Sequence, residues 1–409
     1  MNGSEYFGCL VILFIYFFAN AGGLASGGAG LPCIMIFFRF DFKRAVALSN
    51  VTIFISSVMR YLMNAKYTHP RKTTPDGKPT GVLVDYNIAI LMLPLIIIGV
   101  ALGATLYIIL PALIILIVLV VLLIGLVILN GRKIMKMCKE NALKLGQIKP
   151  EIEMSRQKEV KTIESATDSP NEAESITKDV SPNAIALNLT EDKGEIPTIS
   201  ITPELTEIYK RESTNLQCKK LFLNVSLVVI LTIIALCQGD GKTASFVGIS
   251  KCDSTDLAMT ALLITISLFY LLYAIFGVLR PEYKQKVACG YKFTQGDFEC
   301  TLKNASSLSA IAFLGASVGS CCGTGTGYIF NPVLIATGID PAVASATGMY
   351  LTLFVTLSAS IVMSIFGMVT LDYCILLSIL TVIGSAPGLI LQPWLVKKTG
   401  NPVVTVIIV

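Results

Sequence analysis

Apolar runs of about twenty residues recur along the whole chain, and no other feature restricts its fold as strongly. A helix needs about 20 residues to cross roughly 30 Å of hydrocarbon. Runs of that kind cover residues 7–38 (interrupted), 45–63, 86–109, 112–130, 221–238, 257–279, 305–337 (interrupted), 342–366 and 371–391, and the closing NPVVTVIIV reads as the start of one more. Backbone groups find no water inside a bilayer, so spans of this length are helices. The expected fold class is therefore all-α: a polytopic membrane protein of two homologous helical repeats with broken helices and about 9 to 10 spans. Composition agrees, because 14% of the 409 residues are charged, against roughly 25% in an ordinary soluble domain. A formal charge of +5 gives no case for nucleic acid as a partner; the lipid bilayer is the partner it implies. Eleven cysteines are scattered without metal-site spacing or a disulfide framework.

If each interrupted run crosses once, connections alternate between two sides. One side collects Lys66, Arg71, Lys72, Lys78, Arg132, Lys133, Lys136, Lys139, Arg280, Lys284, Lys286 and Lys292. The other has Arg39, Lys43, Arg44, Lys242, Lys251, Lys397 and Lys398. The positive-inside bias makes the first side cytosolic and places the N-terminus there too. No Lys or Arg precedes CLVILFIYFFANA and Glu5 does, so this run is expected as an uncleaved span rather than a signal peptide.

Composition divides the chain into a first transmembrane repeat (1–130), a cytosolic linker (131–220), two connecting spans with loops (221–303) and a second repeat (304–409). The linker opens with a basic amphipathic stretch, NGRKIMKMCKENALKLG, suited to an anionic inner leaflet. Its remainder is rich in Ser, Thr, Glu and Pro and too poor in aromatics to form a core, so it is expected to be disordered. A solvated tether is the favoured role, with phosphorylation at Ser169, Ser181 or Thr202 and cytosolic partners of the linker left open. Asn188 in NLT is an acceptor for glycosylation only in a lumen, so this topology makes it a decoy.

The two halves carry the same punctuation. Gly23, Gly27 and Pro32 match Gly323, Gly327 and Pro332 at identical spacing. Asp41, Ala45 and Ala47 match Asp340, Ala344 and Ala346, and Asp85-Tyr86 matches Asp372-Tyr373. Each unit closes with a GxxxG pair, Gly99/Gly103 and Gly384/Gly388, followed by Pro111 and Pro393. Counting six crossings between equivalents predicts parallel repeats. The GxxxG pairs are read as a ring facing the bilayer that holds the halves together or forms a homodimer; the sequence leaves both open.

Glycines and a proline inside a span break the helix, and non-helical backbone at membrane depth is tolerated where it is buried or lines a watery cavity. A restarting half-helix directs free N–H groups and a positive dipole into such a cavity, which suits an anion. Ser26, Ser320, Thr324 and Thr326 add hydroxyl donors. No Asp, Glu or His lies mid-span, which disfavours a cation site or a carboxylate proton relay. Arg39, Arg44 and Arg60 flank the first unit; headgroup anchoring accounts for the first two, and snorkelling accounts for Arg60 about as well as anion attraction does. Cys237 and Cys252 bracket a short loop where a disulfide is an even choice, and Cys321-Cys322 reads as two small residues beside a break.

At these residues the chain resembles the TauE/SafE family of sulfite exporter or toluenesulfonate uptake type permeases, in particular its eukaryotic branch. The stretches that carry the resemblance are GGLASGGAGLPCIMIFFRFDFKRAVALSN, GSCCGTGTGYIFNPVLIATGIDPAVASATGMY, VDYNIAILMLPLIIIGVALG, SFVGISKC and GYKFTQGDF. The chain departs where the family's glycine triplet is reduced to Ala25-Ser26-Gly27 and Gly325-Thr326-Gly327. The resemblance implies secondary transport of sulfite, sulfonates or related sulfur-containing anions, with no cofactor, no metal and no enzyme chemistry. Expected substrate-binding residues within these stretches are Gly23, Ser26, Gly27, Pro32, Ser49, Asn50, Gly323, Thr324, Gly325, Thr326, Gly327, Asn331, Pro332 and Thr347. The alternative is a non-transporting membrane receptor or scaffold of the same fold.

Overall fold

The computed structural model describes residues 2–21, 27–70, 72, 80–111, scattered positions between 113 and 135, 203–214, 217–238, 247–249, 253–291, 293, 297–298, 300–321, 327–365 and 367–399. Residues 135–202 form a unit of their own, of which only Met135 is described. The linker's phosphorylation and glycosylation positions, Cys252, Cys322 and residues 401–409 lie outside the described residues.

Twelve helices carry the fold of the described residues: α1 Gly3–Ala21, α2 Gly27–Phe38, α3 Phe42–Asn64, α4 Tyr86–Ile109, α5 Pro203–Ser213, α6 Cys218–Gln238, α7 Ser254–Tyr273, α8 Arg280–Ala288, α9 Leu302–Cys321, α10 Gly327–Ala336, α11 Pro341–Ile365 and α12 Leu371–Thr399. A π-helical segment, Ala274–Leu279, joins α7 to α8. The described positions between 113 and 135 are also helical. Among the described residues, seven helices are long and apolar enough to cross a membrane, which makes this an integral multi-pass protein: α1, α3, Tyr86–Gly103 in α4, α6, Ser254–Ala288, α11, and Leu371–Trp394 in α12. Their outer faces stay apolar, as in the exposed stripe of Phe7, Leu10, Phe14 and Phe18 on α1, the pattern of a helix that meets lipid.

Local sequence sets the helix ends. Asp85 caps α4 by accepting from the N–H groups of Asn87 and Ile88, and a side-chain acceptor there satisfies donors that have no partner within the helix. Helix α1 stops at Ala21 and α2 restarts at Gly27; α9 stops at Cys321 and α10 restarts at Gly327. Pro32 lies inside α2 and Pro332 inside α10, so each short helix lacks a backbone donor in its second turn.

The chain reverses at the first break instead of continuing across. A Cβ on Gly8 would meet Phe37, and one on Gly30 would meet the Tyr16 hydroxyl at 2.9 Å; Phe7 and Phe37 stack edge to face at 5.6 Å. Positions 8 and 16 of α1 thus face 37 and 30 of α2, which makes the pair antiparallel. Helix α3 then runs alongside α1 in the same direction, with the Tyr16 hydroxyl donating to Thr52 Oγ1 at 3.0 Å and Ser56 Oγ to Asn20 Oδ1 at 3.1 Å. The start of α4 lies beside the end of α3, where the Tyr61 and Tyr86 hydroxyls are 2.9 Å apart.

The second set of four helices runs the opposite way. Asp297, just ahead of α9, pairs with Lys72 at 3.1 Å, and Thr347 near the start of α11 accepts from the Asp85 N–H. Helix α9 therefore leaves from the Tyr86 end of the bundle and α10 returns there, packing Ile329 and Phe330 against Gly315. Helix α12 starts at the opposite end, where the Tyr373 hydroxyl donates to Glu5.

Three sequence expectations change as a result. Each broken segment is a hairpin with both ends at one end of the bundle, so it adds no crossing. Helices α9, α10, α11 and α12 run opposite to α1, α2, α3 and α4 in turn, not parallel to them as the count of crossings predicted. The N-terminus lies at the Glu5 end with Arg39 and Arg44, opposite the 65–84 loop, while Lys397 and Lys398 belong to the helix that ends on the 65–84 side.

The GxxxG pairs are buried against helices of the same chain rather than turned to the bilayer. Helix α4 packs chiefly on α9, and α12 on α1. A Cβ on Gly99 would lie 2.5 Å from the Phe313 carbonyl, one on Gly384 2.9 Å from that of Leu13, and one on Gly388 would strike Phe17 O. Small residues there permit backbone contact. Helix α4 is the centre of the larger core, with Ile88, Leu91, Met92, Leu93 and Ile96 fully buried. A smaller core joins α1, α2, α3 and α12 through Ile12, Tyr16, Ile34, Leu48 and Leu377.

At the Tyr86 end, α5 docks through Leu205 and Ile208 onto Tyr291. Glu212 at the end of α5 meets Lys286, accepts from the Tyr291 hydroxyl at 2.7 Å and lies 3.7 Å from Lys72. Burial opposes ionisation of Glu212, but the two lysines and these hydrogen bonds outweigh it and hold its carboxyl down to about 2.

Candidate functional site at the first helix break

Polar side chains inside the bundle gather where α1 ends. Asn20, the penultimate residue of α1, is fully buried; its amide donates to Ser385 Oγ of α12 and to Tyr16 O, both at 2.9 Å. Ser56 of α3 donates to Asn20 Oδ1. Arg60, one turn further along α3, donates from both terminal nitrogens to Asn20 O at 3.4 Å and from Nη2 to Gln392 Oε1 of α12. The cluster thus binds three helices together at the edge of the break. Ser385 is the fifteenth residue of α12, about 21 Å along a helix that rises 1.5 Å per residue, which puts this level within the hydrocarbon.

Of the two roles left open for Arg60, snorkelling does not fit its placement. The residue is 1% exposed, and its bonds run inward to the carbonyl at the end of α1, the negative end of that helix dipole. Arg44, in contrast, is exposed beside Asp41 at 3.9 Å.

The second break has a matching but uncharged contact. Ser320, three residues before Gly323 as Asn20 is before Gly23, donates to Val100 O at 3.1 Å. Val100 follows Gly99 as Ser385 follows Gly384, so the two joints occupy corresponding positions. Nineteen residues after Asp41 stands Arg60; nineteen after Asp340 stands Ala359.

The expected substrate residues fall into separate groups. Gly23, Ser26, Gly323, Thr324, Gly325 and Thr326 lie outside the described residues, and Gly27 and Gly327 open the restarting helices. Pro32 is on the exposed face of α2. Ser49 is buried on α3, and its carbonyl accepts from Thr52 at 2.8 Å. Asn50 donates to Met363 Sδ of α11 at 3.6 Å. Asn331, on α10 with Pro332, is buried against Gly348 of α11. Thr347 is fully buried and bonded to the Asp85 N–H.

Sequence reasoning passed over Tyr16, Asn20, Ser385 and Gln392. The available signal was polar residues at four-residue spacing on otherwise apolar helices: Tyr16 and Asn20; Thr52, Ser56 and Arg60; Thr381 and Ser385. That spacing marks one helix face, and a polar stripe within a span faces protein or water rather than lipid.

Comparison with known proteins agrees with the resemblance in the sequence. The chain is 22% identical to "Sulfite exporter TauE/SafE family protein 5" of Arabidopsis thaliana over 386 residues, covering 94% of this chain and 75% of that protein. It is 22% identical to family protein 3 of the same plant over 86% of this chain and 64% of that one, and 22% identical to family protein 2 over 91% and 72%. No family model matches the chain. No solved structure matches it.

Proposed function

We propose that this chain, a distant relative of the TauE/SafE proteins, is a secondary transporter of small anions, with sulfite, sulfonates or related sulfur-containing anions as substrates. The observation that carries the reading is the pair of broken helices. Each begins anew with a glycine inside a membrane-spanning bundle, α2 at Gly27 and α10 at Gly327. A restarting helix offers free N–H groups and the positive end of its dipole to an anion. Broken helices at the interface of oppositely directed halves are a recurrent arrangement for transport by alternating access. The relatives are named as sulfite exporters, and that name supplies the anion class.

The substrate is held between the halves by the glycine-break segments, Ser26, Thr324 and Thr326 supplying hydroxyls and Asn50 and Asn331 lining the seams of α11. The two four-helix sets are inverted repeats of one unit. With the fold-backs included, Lys66, Lys72, Arg280, Lys284, Lys286, Lys397 and Lys398 belong to one end and Arg39, Lys43 and Arg44 to the other. By the positive-inside bias the Tyr86 end, with the linker, faces the cytosol and the N-terminus faces away.

Uptake of radiolabelled sulfite and sulfate into proteoliposomes tests the function. Saturable flux in the wild type, lost in folded Gly327→Val and Thr326→Val, is the expected result. Absence of flux for any sulfur-containing or carboxylate anion under several ion gradients would return the glycines to a packing role.

A further inference from the structure

We infer that Arg60 and Ser57, on the face of α3 that meets the other half of the molecule, coordinate the anion; this rests on the transport reading above. Arg60 is 1% exposed and has no carboxylate partner among the described residues. Its terminal nitrogens are held by the Asn20 and Gln392 oxygens, but its Nε is buried with no hydrogen-bond acceptor. The Ser57 hydroxyl, one turn earlier, is likewise buried and unpartnered. Native interiors rarely leave such groups unpaired, because an orphaned buried donor is costly and a buried charge more so. Two orphans one turn apart on one helix, one of them cationic, match an oxyanion that supplies both charge and acceptors.

Position supports the same ligand class. Ile53, one turn before Ser57, packs on Met349 of α11, and Tyr61 stacks on Tyr350 at 5.5 Å, so this stripe of α3 follows the seam between the halves. Arg60 also touches the residue that precedes the last of α1, placing it beside the first break. Nε and the Ser57 hydroxyl offer two donors beside a fixed positive charge, which fits the oxygens of a carboxylate, sulfonate or sulfite. Asn20 and Gln392 are positioning residues, since their oxygens hold the guanidinium by its terminal nitrogens, and Ser56 in turn holds Asn20. Because Ala359 stands where a second arginine would, the two halves contribute unequally and one anion is bound per molecule.

The test uses the full chain, purified and reconstituted, with sulfite as the probe, and reads both flux kinetics and the sulfite-induced rise in melting temperature. Arg60→Gln is expected to abolish the thermal rise and to cut flux to below about a tenth of wild type; Arg60→Lys, which keeps the charge and loses the Nε donor, should raise KM about tenfold with Vmax nearly unchanged. A merely structural arginine would lower the melting temperature in both variants and leave KM and the sulfite-induced rise as they are, and that outcome overturns the assignment. Should Arg60→Gln fail to fold, Ser57→Ala decides: a several-fold higher KM at unchanged melting temperature supports the site, and an unchanged KM sinks it. If the wild type moves no anion, the transport reading fails, and the thermal rise alone judges the site. Its presence in the wild type with loss in Ser57→Ala keeps a binding centre, whereas its absence in the wild type removes one.

Discussion

At position 348 there is no room for a side chain, because a Cβ would overlap Oδ1 of Asn331. Gly348→Ala is therefore expected to destabilise the protein by about 1–3 kcal/mol through overpacking. The pair Gly348→Ala with Asn331→Ala should recover part of the loss, since the truncated partner no longer overlaps. Melting in detergent followed by intrinsic fluorescence measures both; equal stability of Gly348→Ala and wild type would show that α10 and α11 do not approach this closely. Asn331 was legible in the sequence as a polar residue beside the second break. Its contact with Gly348 was not, because Gly348 is silent in hydropathy and in pattern. Arg60 shows the reverse case: its charge was visible, but burial against Asn20 and Gln392 depends on helices 40 and 332 residues away.

At the scale of elements, the breaks themselves were legible and their direction was not. Gly23, Gly27 and Pro32 mark where a helix stops and restarts whatever follows. Whether α2 continues across the bilayer or turns back leaves every residue in an equally apolar setting, so hydropathy is blind to it. The decision lies in contacts such as Gly8 with Phe37 and Gly30 with Tyr16. Cysteines introduced as Phe7→Cys and Phe37→Cys in a background without other cysteines should crosslink within one chain under mild oxidation. A single crossing would place them on opposite faces, roughly 30 Å apart, and no crosslink would form. The GxxxG pairs were legible as close-approach points and gave no partner. Gly99 meets α9 and Gly384 and Gly388 meet α1, which exchanges one helix pair between the halves and explains why each motif sits in the last helix of its set.

For the molecule as a whole, the first hairpin, which adds no crossing, inverts the second set of helices relative to the first and moves the N-terminus to the end opposite the 65–84 loop. Gly3→Cys and Thr68→Cys, each alone in a cysteine-free background, should react with a membrane-impermeant maleimide from opposite sides of sealed vesicles. With the Tyr86 end in the cytosol, Gly3→Cys is labelled in intact right-side-out vesicles and Thr68→Cys only after permeabilisation; labelling of both from one side would restore the single-crossing topology. The basic residues already hinted at this. In the alternating count Lys397 and Lys398 fall on the poorly charged side, and in the folded chain they lie on the side rich in Lys and Arg.

Local sequence was sufficient for everything that depends on a residue's own chemistry: apolar runs that must be helices, glycine and proline breaks at matching places in two halves, and an interior without carboxylates at mid-span to bind cations. Tertiary structure alone decided which way each broken helix turned, which helices the small residues bring together, and that Arg60 is sealed within the bundle. These depend on contacts between segments far apart in the chain. In a bilayer such contacts follow from shape and hydrogen bonding rather than from hydrophobicity, because lipid and protein interior are nearly equally apolar.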